Sequence, residues 1–422
     1  MIMKMKIMTH FCNCAVLALL SLAACTEIPG DKSKPEWKES ASGVWEISVG
    51  KPEKLNLLSE LGLHPKWDAI NAMPKADLPV DRDEIRFEEV DGKTYIRFPL
   101  DKGEKIFGLG LNFKTVEQRG RILELHVDHY GGKDNGRTHA PVPFFVSSKG
   151  YGAFINSARY IKAYVGTGVR KDTKNPPEVQ DRNTDPGWSA QPYSDNLEFL
   201  VPAEGVEVVL FAGQDMQDVV RRFNLFNGGG VLPPKWGLGF WHRVPTLFTD
   251  RQVQDEIAEF RKRGFPLTVI GLEPGWMSRA YPCTYEWDAT RFPEPGKFVN
   301  DLLQKHIRTN LWFNPGVSPE CEIRDAIEPY TASHTEWNGL IPDYRMPEAR
   351  RIMLDHFKKH QLDMGVSGYK MDENDGYDNW LWPDVATFPS GTPAEQMRQI
   401  YGSLMQRMTT DLYHEKNQRT YG

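Results

Sequence analysis

Cysteine is scarce in this chain: five in 422 residues. Three of them, Cys12, Cys14 and Cys25, fall in the first 25 residues. The two that remain, Cys283 and Cys321, cannot build a disulfide framework or a four-cysteine zinc site, so both are expected as free thiols. No long basic run is present and the net charge is -6, which argues against a nucleic-acid surface. The chain also lacks apolar runs of about 20 residues, which excludes a polytopic membrane protein. Internal repeats and low-complexity tracts are missing as well. What is there has the balance of an ordinary globular protein, 40% hydrophobic and 26% charged. A length of 422 residues suggests two to three domains at roughly 150 residues each. The 12 Trp and 15 Tyr would suit a protein that stacks rings on sugars, and equally one with large cores.

The first 25 residues read as an address. Lys4 and Lys6 precede an apolar run from Phe11 to Ala24, the basic-then-apolar layout of a secretory signal. The run ends Leu22-Ala23-Ala24-Cys25, which resembles a bacterial lipobox. That resemblance implies a lipoprotein signal peptide over 1–25, with Cys25 the lipidated first residue of the mature protein. Thr26 rather than Asp after it implies an outer-membrane destination. An ordinary signal peptide with a coincidental Cys25 is the alternative. Residues 26–42 are polar and are expected to tether the lipid to the fold.

From 43 to 232 the signals are strands. Thr94 to Phe98, Ala153 to Asn156 and Leu197 to Val201 are short, rich in β-branched or aromatic residues, and bounded by turn formers. Such spacing implies a β-sandwich. Asp215 to Phe226 suggests one short helix, and Gly228-Gly229-Gly230 followed by Pro233-Pro234 marks a boundary. After it, strand-like and helix-like runs alternate. Strands are expected at Gly237–Trp241, Leu267–Glu273, Thr309–Asn314 and Gly368–Glu373. Helices are expected at Thr249–Lys262, Lys297–His306, Pro347–His360 and Thr392–His414. Four βα units in succession imply a parallel sheet. No glycine-rich phosphate loop follows the first strand, which disfavours a nucleotide-binding fold. A (β/α)8 barrel takes about 250 residues. Residues 233–422 therefore read as the first half of a barrel, cut near its middle.

Chemistry in such a barrel sits at the carboxyl ends of the strands, and strand side chains alternate in direction. If Met371 packs outward, Lys370 and Asp372 face the barrel mouth. The same alternation turns Ile270, Leu272, Leu311 and Phe313 outward, and Glu273, Trp312 and Asn314 inward. Two carboxylates beside an indole suit a sugar site. Asp372, Glu373, Asp375 and Asp378 also lie close together in sequence. A magnesium or calcium site is a second reading of that cluster, and a charged loop capping the next helix is the plain one.

The motifs, taken in order, resemble glycoside hydrolase family 31 from about Glu104 to the end of the chain. They are Glu104-Lys105-Ile106-Phe107-Gly108-Leu109-Gly110, Arg119-Gly120-Arg121 through Val127-Asp128, Leu232 to Trp241, Trp287-Asp288 with Phe292-Pro293, Leu311-Trp312-Phe313-Asn314-Pro315, and Tyr369 to Asp375. The resemblance implies a galactose-mutarotase-like β-sandwich followed by a (β/α)8 barrel, and retaining hydrolysis of terminal α-linked sugars on an oligosaccharide or glycan, with no metal or other cofactor. It also implies roles. Asp372 is the nucleophile, with Asp375 orienting it from behind and Lys370 helping to hold it ionised. Asp128, Trp241, Glu273, Trp276 and Trp312 contact the sugar. The family usually has Asp where Glu273 stands, and the longer arm suggests an axial 4-hydroxyl, hence an α-galactoside over an α-glucoside or α-xyloside.

A retaining enzyme needs a second carboxyl about 5–5.5 Å from the nucleophile. The resemblance puts that general acid beyond the fifth strand, so the chain by itself is expected to be inactive and prone to aggregate. The competing function, from another class, is a surface carbohydrate-binding lipoprotein without catalysis, attached to the membrane through its lipid alone. A metal-dependent barrel lyase or phosphatase is the third.

Overall fold

The computed structural model describes residues 35–129, 134–376 and 380–422. The signal peptide and Cys25 lie outside them, as do Tyr377 and Asp378. Residues Glu36–Gly422 form one compact unit.

Alternation is visible in Lys93–Pro99, where Thr94, Ile96 and Phe98 are buried and the residues between them are not. That strand sits in a six-stranded sheet ordered Arg86–Val90, Lys93–Pro99, Asn196–Val201, Ile161–Val165, Arg121–Val127, Arg137–Thr138. A second six-stranded sheet runs Lys38–Ala41, Val44–Gly50, Gly205–Ala212, Tyr151–Asn156, Phe144–Ser147, Ile106–Gly108. Buried side chains of both sheets meet in one core, including Ile96, Phe98, Leu123, Phe145, Phe199 and Leu210. Phe98 stands edge-on to Phe145 with centroids 5.1 Å apart, the offset geometry that aromatic quadrupoles favour. The back of the second sheet is covered by the helix Met216–Phe226, whose N-cap Asp215 accepts from the Asp218 N–H at 2.9 Å. Phe223 of this helix stacks on Phe144 at 3.7 Å. The expected tether is shortened by this arrangement. Lys38–Ala41 is an edge strand paired with Val44–Gly50, and Trp37 packs on Phe87, because apolar residues in that stretch find cover on the sandwich.

The second half holds a four-stranded parallel sheet in chain order: Phe240–Arg243, Leu267–Leu272, Arg308–Phe313 and Gly368–Met371. These are called the first to fourth barrel strands below. The helices Asp250–Lys262, Pro295–Gln304, Pro347–His360 and Ala394–His414 cover its outer face. Ile270, Leu272, Leu311, Phe313 and Tyr369 pack against them, with Phe313 5.2 Å from Phe357. Thr249 and Gln252 close a capping box on the first of these helices, which satisfies backbone donors that a helix start leaves unpaired.

Two details differ from the sequence expectations. The first barrel strand begins at Phe240 rather than Gly237, since Lys235–Leu238 forms a 3-10 turn. A two-stranded hairpin, Thr331–Glu336 with Gly339–Pro342, lies between the third strand and its helix. Its Trp337-Asn338 turn has φ of 46° and 63°, the left-handed pair of a type I′ turn, in which Asn338 is a favoured residue and Trp337 is not. Polar Ser333, His334 and Thr335 hid the strand pattern. The helix Ala394–His414 also docks on the sandwich: Gln399 bridges the backbone of Leu125 and Val127 at 2.6 and 2.8 Å, and Glu395 meets Arg159 at 3.0 Å. The two halves are thereby joined by half-buried, directional contacts. No helix among the described residues is long and apolar enough to cross a membrane.

Candidate active site

The carboxyl ends of the parallel strands bring the expected groups together. Asp372 directly follows the fourth strand, and its N–H donates to the Phe313 carbonyl at 3.0 Å. That bond continues the sheet by one residue and fixes the direction of the side chain. Asp372 Oδ2 accepts from the Trp312 indole N–H at 2.7 Å and lies 3.3 Å from Lys370 Nζ. Oδ1 accepts from the Glu373 N–H at 3.1 Å. The side chain remains 38% exposed, so this oriented carboxylate is open to a ligand.

Glu273 closes the second strand. Lys370 Nζ reaches its Oε2 at 3.4 Å, and Arg243 of the first strand grips its Oε1. Arg243 is itself held by Asn310 at 2.8 Å and by the Leu272 carbonyl at 2.9 Å. Lys370 therefore sits between the two carboxylates as a shared counter-ion, and all four barrel strands contribute to one network. Beneath it, between the first and fourth strands, lies a cavity of about 770 Å³ lined by Trp241, Arg243, Asn310, Lys370, Asn374 and Tyr421.

Glu373 has a left-handed backbone, φ 60°, and turns its side chain the other way. It accepts from Tyr281 at 2.9 Å and from Asn314 at 3.2 Å. Burial raises its affinity for a proton above the usual carboxylate range, and neighbouring Asp372 adds to this. The hairpin contributes Glu336, 1% exposed and pushed up to about 9, chiefly by burial. Around this side stand Tyr281, Trp337 and Trp380, with Tyr281 5.4 Å from Trp312 and 5.2 Å from Trp337, and Trp337 6.2 Å from Trp380. Tyr281 and Trp380 are partly open to solvent, which makes this wall an aromatic surface available to a ligand.

Four expected roles are revised by the geometry. Trp276 is 1% exposed and donates to the Trp312 carbonyl at 2.7 Å. It braces Trp312 from behind and has no face to offer a ligand. Trp312 is equally buried and acts on Asp372 through its N–H instead of as a stacking platform. Asp128 is 2% exposed and pairs with Arg137 at 3.1 Å and Asn135 at 3.0 Å, so its carboxylate is spent inside the sandwich. Asp375 meets His139 at 2.7 Å, and its carbonyl accepts from the His129 N–H at 3.1 Å. It ties the loop after the fourth strand to the sandwich and does not touch Asp372. Trp241 does line the cavity, with its N–H on the Gly237 carbonyl at 2.9 Å. Lys370, Asp372 and Glu273 stand together as alternation requires. Arg243, Asn310, Tyr281 and His139 went unread, because a cation or amide inside a strand or loop carries no periodic signal, whereas Asn314 was turned inward by alternation. The acidic run after Asp372 does not form a cation cluster among the described residues.

Two family models match the chain. The glycosyl hydrolases family 31 TIM-barrel domain covers residues 230–421, and the glycosyl hydrolase 31 N-terminal galactose mutarotase-like domain covers residues 32–162. Among curated proteins the chain is 25% identical over 338 residues to an α-xylosidase of Emericella nidulans, covering 76% of this chain and 39% of the relative. It is 25% identical over 298 residues to the α-xylosidase XylQ of Lactiplantibacillus pentosus, covering 66% and 35%. An α-glucosidase of Saccharolobus solfataricus is 24% identical over 354 residues, covering 80% and 46%. The chain thus spans less than half the length of each of these relatives. Among solved structures, the Flavobacterium johnsoniae GH31 dextranase complexed with glucose superposes with a TM-score of 0.71 at 18% identity, over 93% of this chain and 52% of that one. A GH31 α-xylosidase from a soil metagenome, complexed with xylose, gives 0.65 at 14% identity, over 91% and 61%. The likeness to both is one of fold.

Proposed function

The chain belongs to glycoside hydrolase family 31, and from that premise we propose that it carries the nucleophile of a retaining, exo-acting α-glycosidase, with Asp372 as the attacking carboxylate. One observation carries the proposal: an exposed carboxylate at the end of the fourth barrel strand, aimed by an indole N–H at 2.7 Å and flanked by an ammonium group at 3.3 Å. In the first step an Asp372 oxygen bonds to the anomeric carbon while the glycosidic oxygen leaves with a proton from the general acid. In the second, water displaces Asp372 from the same carbon. The nucleophile must be ionised and correctly turned when the oxocarbenium-like transition state forms. Trp312 and Lys370 supply both conditions, the first by direction and the second by charge. We assign the general acid to a part of the protein outside this chain, since Glu273 is engaged by two cations and Glu373 by Tyr281 and Asn314.

For the sugar we propose an α-linked xylose or glucose residue. The support is the names of the relatives, α-xylosidases and an α-glucosidase. The galactoside preference drawn from Glu273 has no such support. A physical reason goes with it: the extra methylene of Glu273 carries its carboxylate to Arg243 and Lys370, and not into free space where an axial hydroxyl could meet it. Export, and attachment to the cell envelope through a lipid on Cys25, remain part of the proposal on the strength of the first 25 residues alone. The test is turnover of nitrophenyl α-xyloside, α-glucoside and α-galactoside by the protein that contains this chain, with and without Asp372→Asn. Xyloside or glucoside cleavage that the substitution abolishes is expected. A galactoside preference would overturn the sugar assignment, and undiminished turnover in Asp372→Asn would overturn the nucleophile.

A further inference from the structure

Away from the carboxylate network, the loop after the third barrel strand meets the helix Pro347–His360. His356 and His360 are four residues apart on that helix, so they share a face. Glu322 reaches them from the loop. Its Oε1 lies 3.2 Å from His356 Nδ1 and 2.9 Å from His360 Nε2. The three ligating atoms fall within 4.8 Å of one another. A tetrahedral ion with bonds of about 2.0–2.1 Å holds its ligand atoms about 3.3 Å apart. The two contacts to Glu322 are thus already close to the edges of such a tetrahedron.

His356 gives a second, independent observation. Its side chain is fully buried, and both ring nitrogens face acceptors: Nδ1 faces Glu322, and Nε2 faces the Thr284 carbonyl at 3.2 Å. A neutral imidazole has a single N–H. In the tautomer with Nε2–H on Thr284, the Nδ1 lone pair faces the same space as the Glu322 carboxylate, where a cation can take both; in the other tautomer Nδ1–H donates to Glu322. An imidazole whose far nitrogen donates to a backbone carbonyl is also how metal-bound histidines are oriented.

We propose that Glu322, His356 and His360 form a binding site for a divalent transition-metal ion, with zinc the best match. Two imidazoles and one carboxylate suit zinc and its neighbours, whereas magnesium and calcium prefer oxygen donors throughout. The nearby thiol of Cys321 donates to the Thr284 carbonyl at 3.1 Å, so it stays outside the ligand set. Lys359 Nζ sits 2.9 Å from both Glu322 oxygens on the open side. It is 63% exposed on a flexible stem and competes with the metal for Glu322. A bound ion would staple the loop that starts at Asn314, a partner of Glu373, to the helix that leads into the Asp372 strand. The site stands independently of the proposed glycosidase activity.

The test uses the untagged protein that contains this chain, stripped of metals with a chelator, titrated with zinc by calorimetry and followed by thermal unfolding. One zinc per chain and a rise in Tm are expected, while magnesium leaves Tm unchanged. Cobalt should give the visible absorption of a four-coordinate site. Because His356 is buried and its loss disturbs packing, the more exposed ligands carry the test. His360→Asn and Glu322→Gln should each weaken zinc binding roughly tenfold or more, and Lys359→Ala should strengthen it severalfold. Failure of the wild-type chain to bind zinc would overturn the site. So would affinity unchanged in both ligand variants, or affinity not improved by Lys359→Ala.

Discussion

Replacing Glu336 with glutamine should stabilise the protein by an amount that grows with pH. Glu336 closes the first strand of the hairpin, is 1% exposed, and has no hydrogen-bond partner for either carboxylate oxygen among the described residues. Burial, reinforced by the charge of Glu373, moves it from an ordinary 4.5 to about 9 in the folded protein. Between those two values the unfolded chain ionises at this position while the folded one keeps its proton. The folded state then binds more protons, so stability falls as pH rises, by about 1.4 kcal/mol per pH unit. From 4.5 to neutrality this amounts to roughly 3 kcal/mol, an order-of-magnitude figure and a sizeable fraction of a typical folding free energy. Below about 4.5 the carboxyl is neutral in both states and the contribution vanishes. Glutamine has nearly the same shape and cannot ionise. Urea unfolding of both proteins at pH 5, 6, 7 and 8 measures the difference. The variant should gain on the wild type at each step. Parallel pH profiles, or a wild-type advantage that widens with pH, would refute the reasoning, because they would mean that Glu336 is ionised and paired in the fold.

Trp312→Phe removes the indole N–H from Asp372 while keeping most of the ring. A hydrogen bond to a charged group contributes about 1.5–3 kcal/mol, so kcat should fall roughly tenfold or more with KM little changed; steady-state kinetics on the active protein checks this. Trp276→Phe takes away the donor behind Trp312 and leaves its carbonyl unpaired, a loss of about 1–3 kcal/mol in stability, read by urea denaturation. Cys283 and Cys321, buried and both raised to about 12, should resist alkylation at pH 8 in the native protein and react on unfolding; mass spectrometry of the labelled peptides shows which occurs. Cys25→Ala should abolish incorporation of radiolabelled palmitate in bacteria that express the protein.

The parts of this molecule legible in its sequence are those with a period. β-Branched and aromatic residues between turn formers marked Thr94–Phe98 as a strand, and two-residue alternation turned Lys370 and Asp372 to one side and Tyr369 to the other. Four alternating strand and helix runs were enough to give the parallel sheet. Strand ends were less legible, because Gly237 and Gly239 approach Tyr421 and Thr268 too closely to leave room for a Cβ, and the chain turns there before the strand begins. Site roles were legible only as direction. Alternation says that Trp312 points inward, but not that Trp276 and Asp372 occupy it on either side. Asp128 and Asp375 show the same limit: each lies in the expected neighbourhood, yet Arg137 and His139, which claim their carboxylates, carry no pattern that sequence reading can use. The helix Pro347–His360 was expected, but its His356 and His360 pair went unread, and the third member, Glu322, comes from a loop.

The central claim is that Asp372 is the side chain that bonds to the anomeric carbon. A 5-fluoro-α-glycosyl fluoride measures this directly, since fluoride leaves with little help from a general acid and the electron-withdrawing 5-fluorine slows release of the intermediate. Incubation of the active protein with the xylosyl and glucosyl reagents, followed by proteolysis and mass spectrometry, should place the added sugar on the peptide containing Tyr369-Lys370-Met371-Asp372, with fragmentation locating it at Asp372. A sugar mapped to Glu273, Glu373 or any other residue would contradict the account.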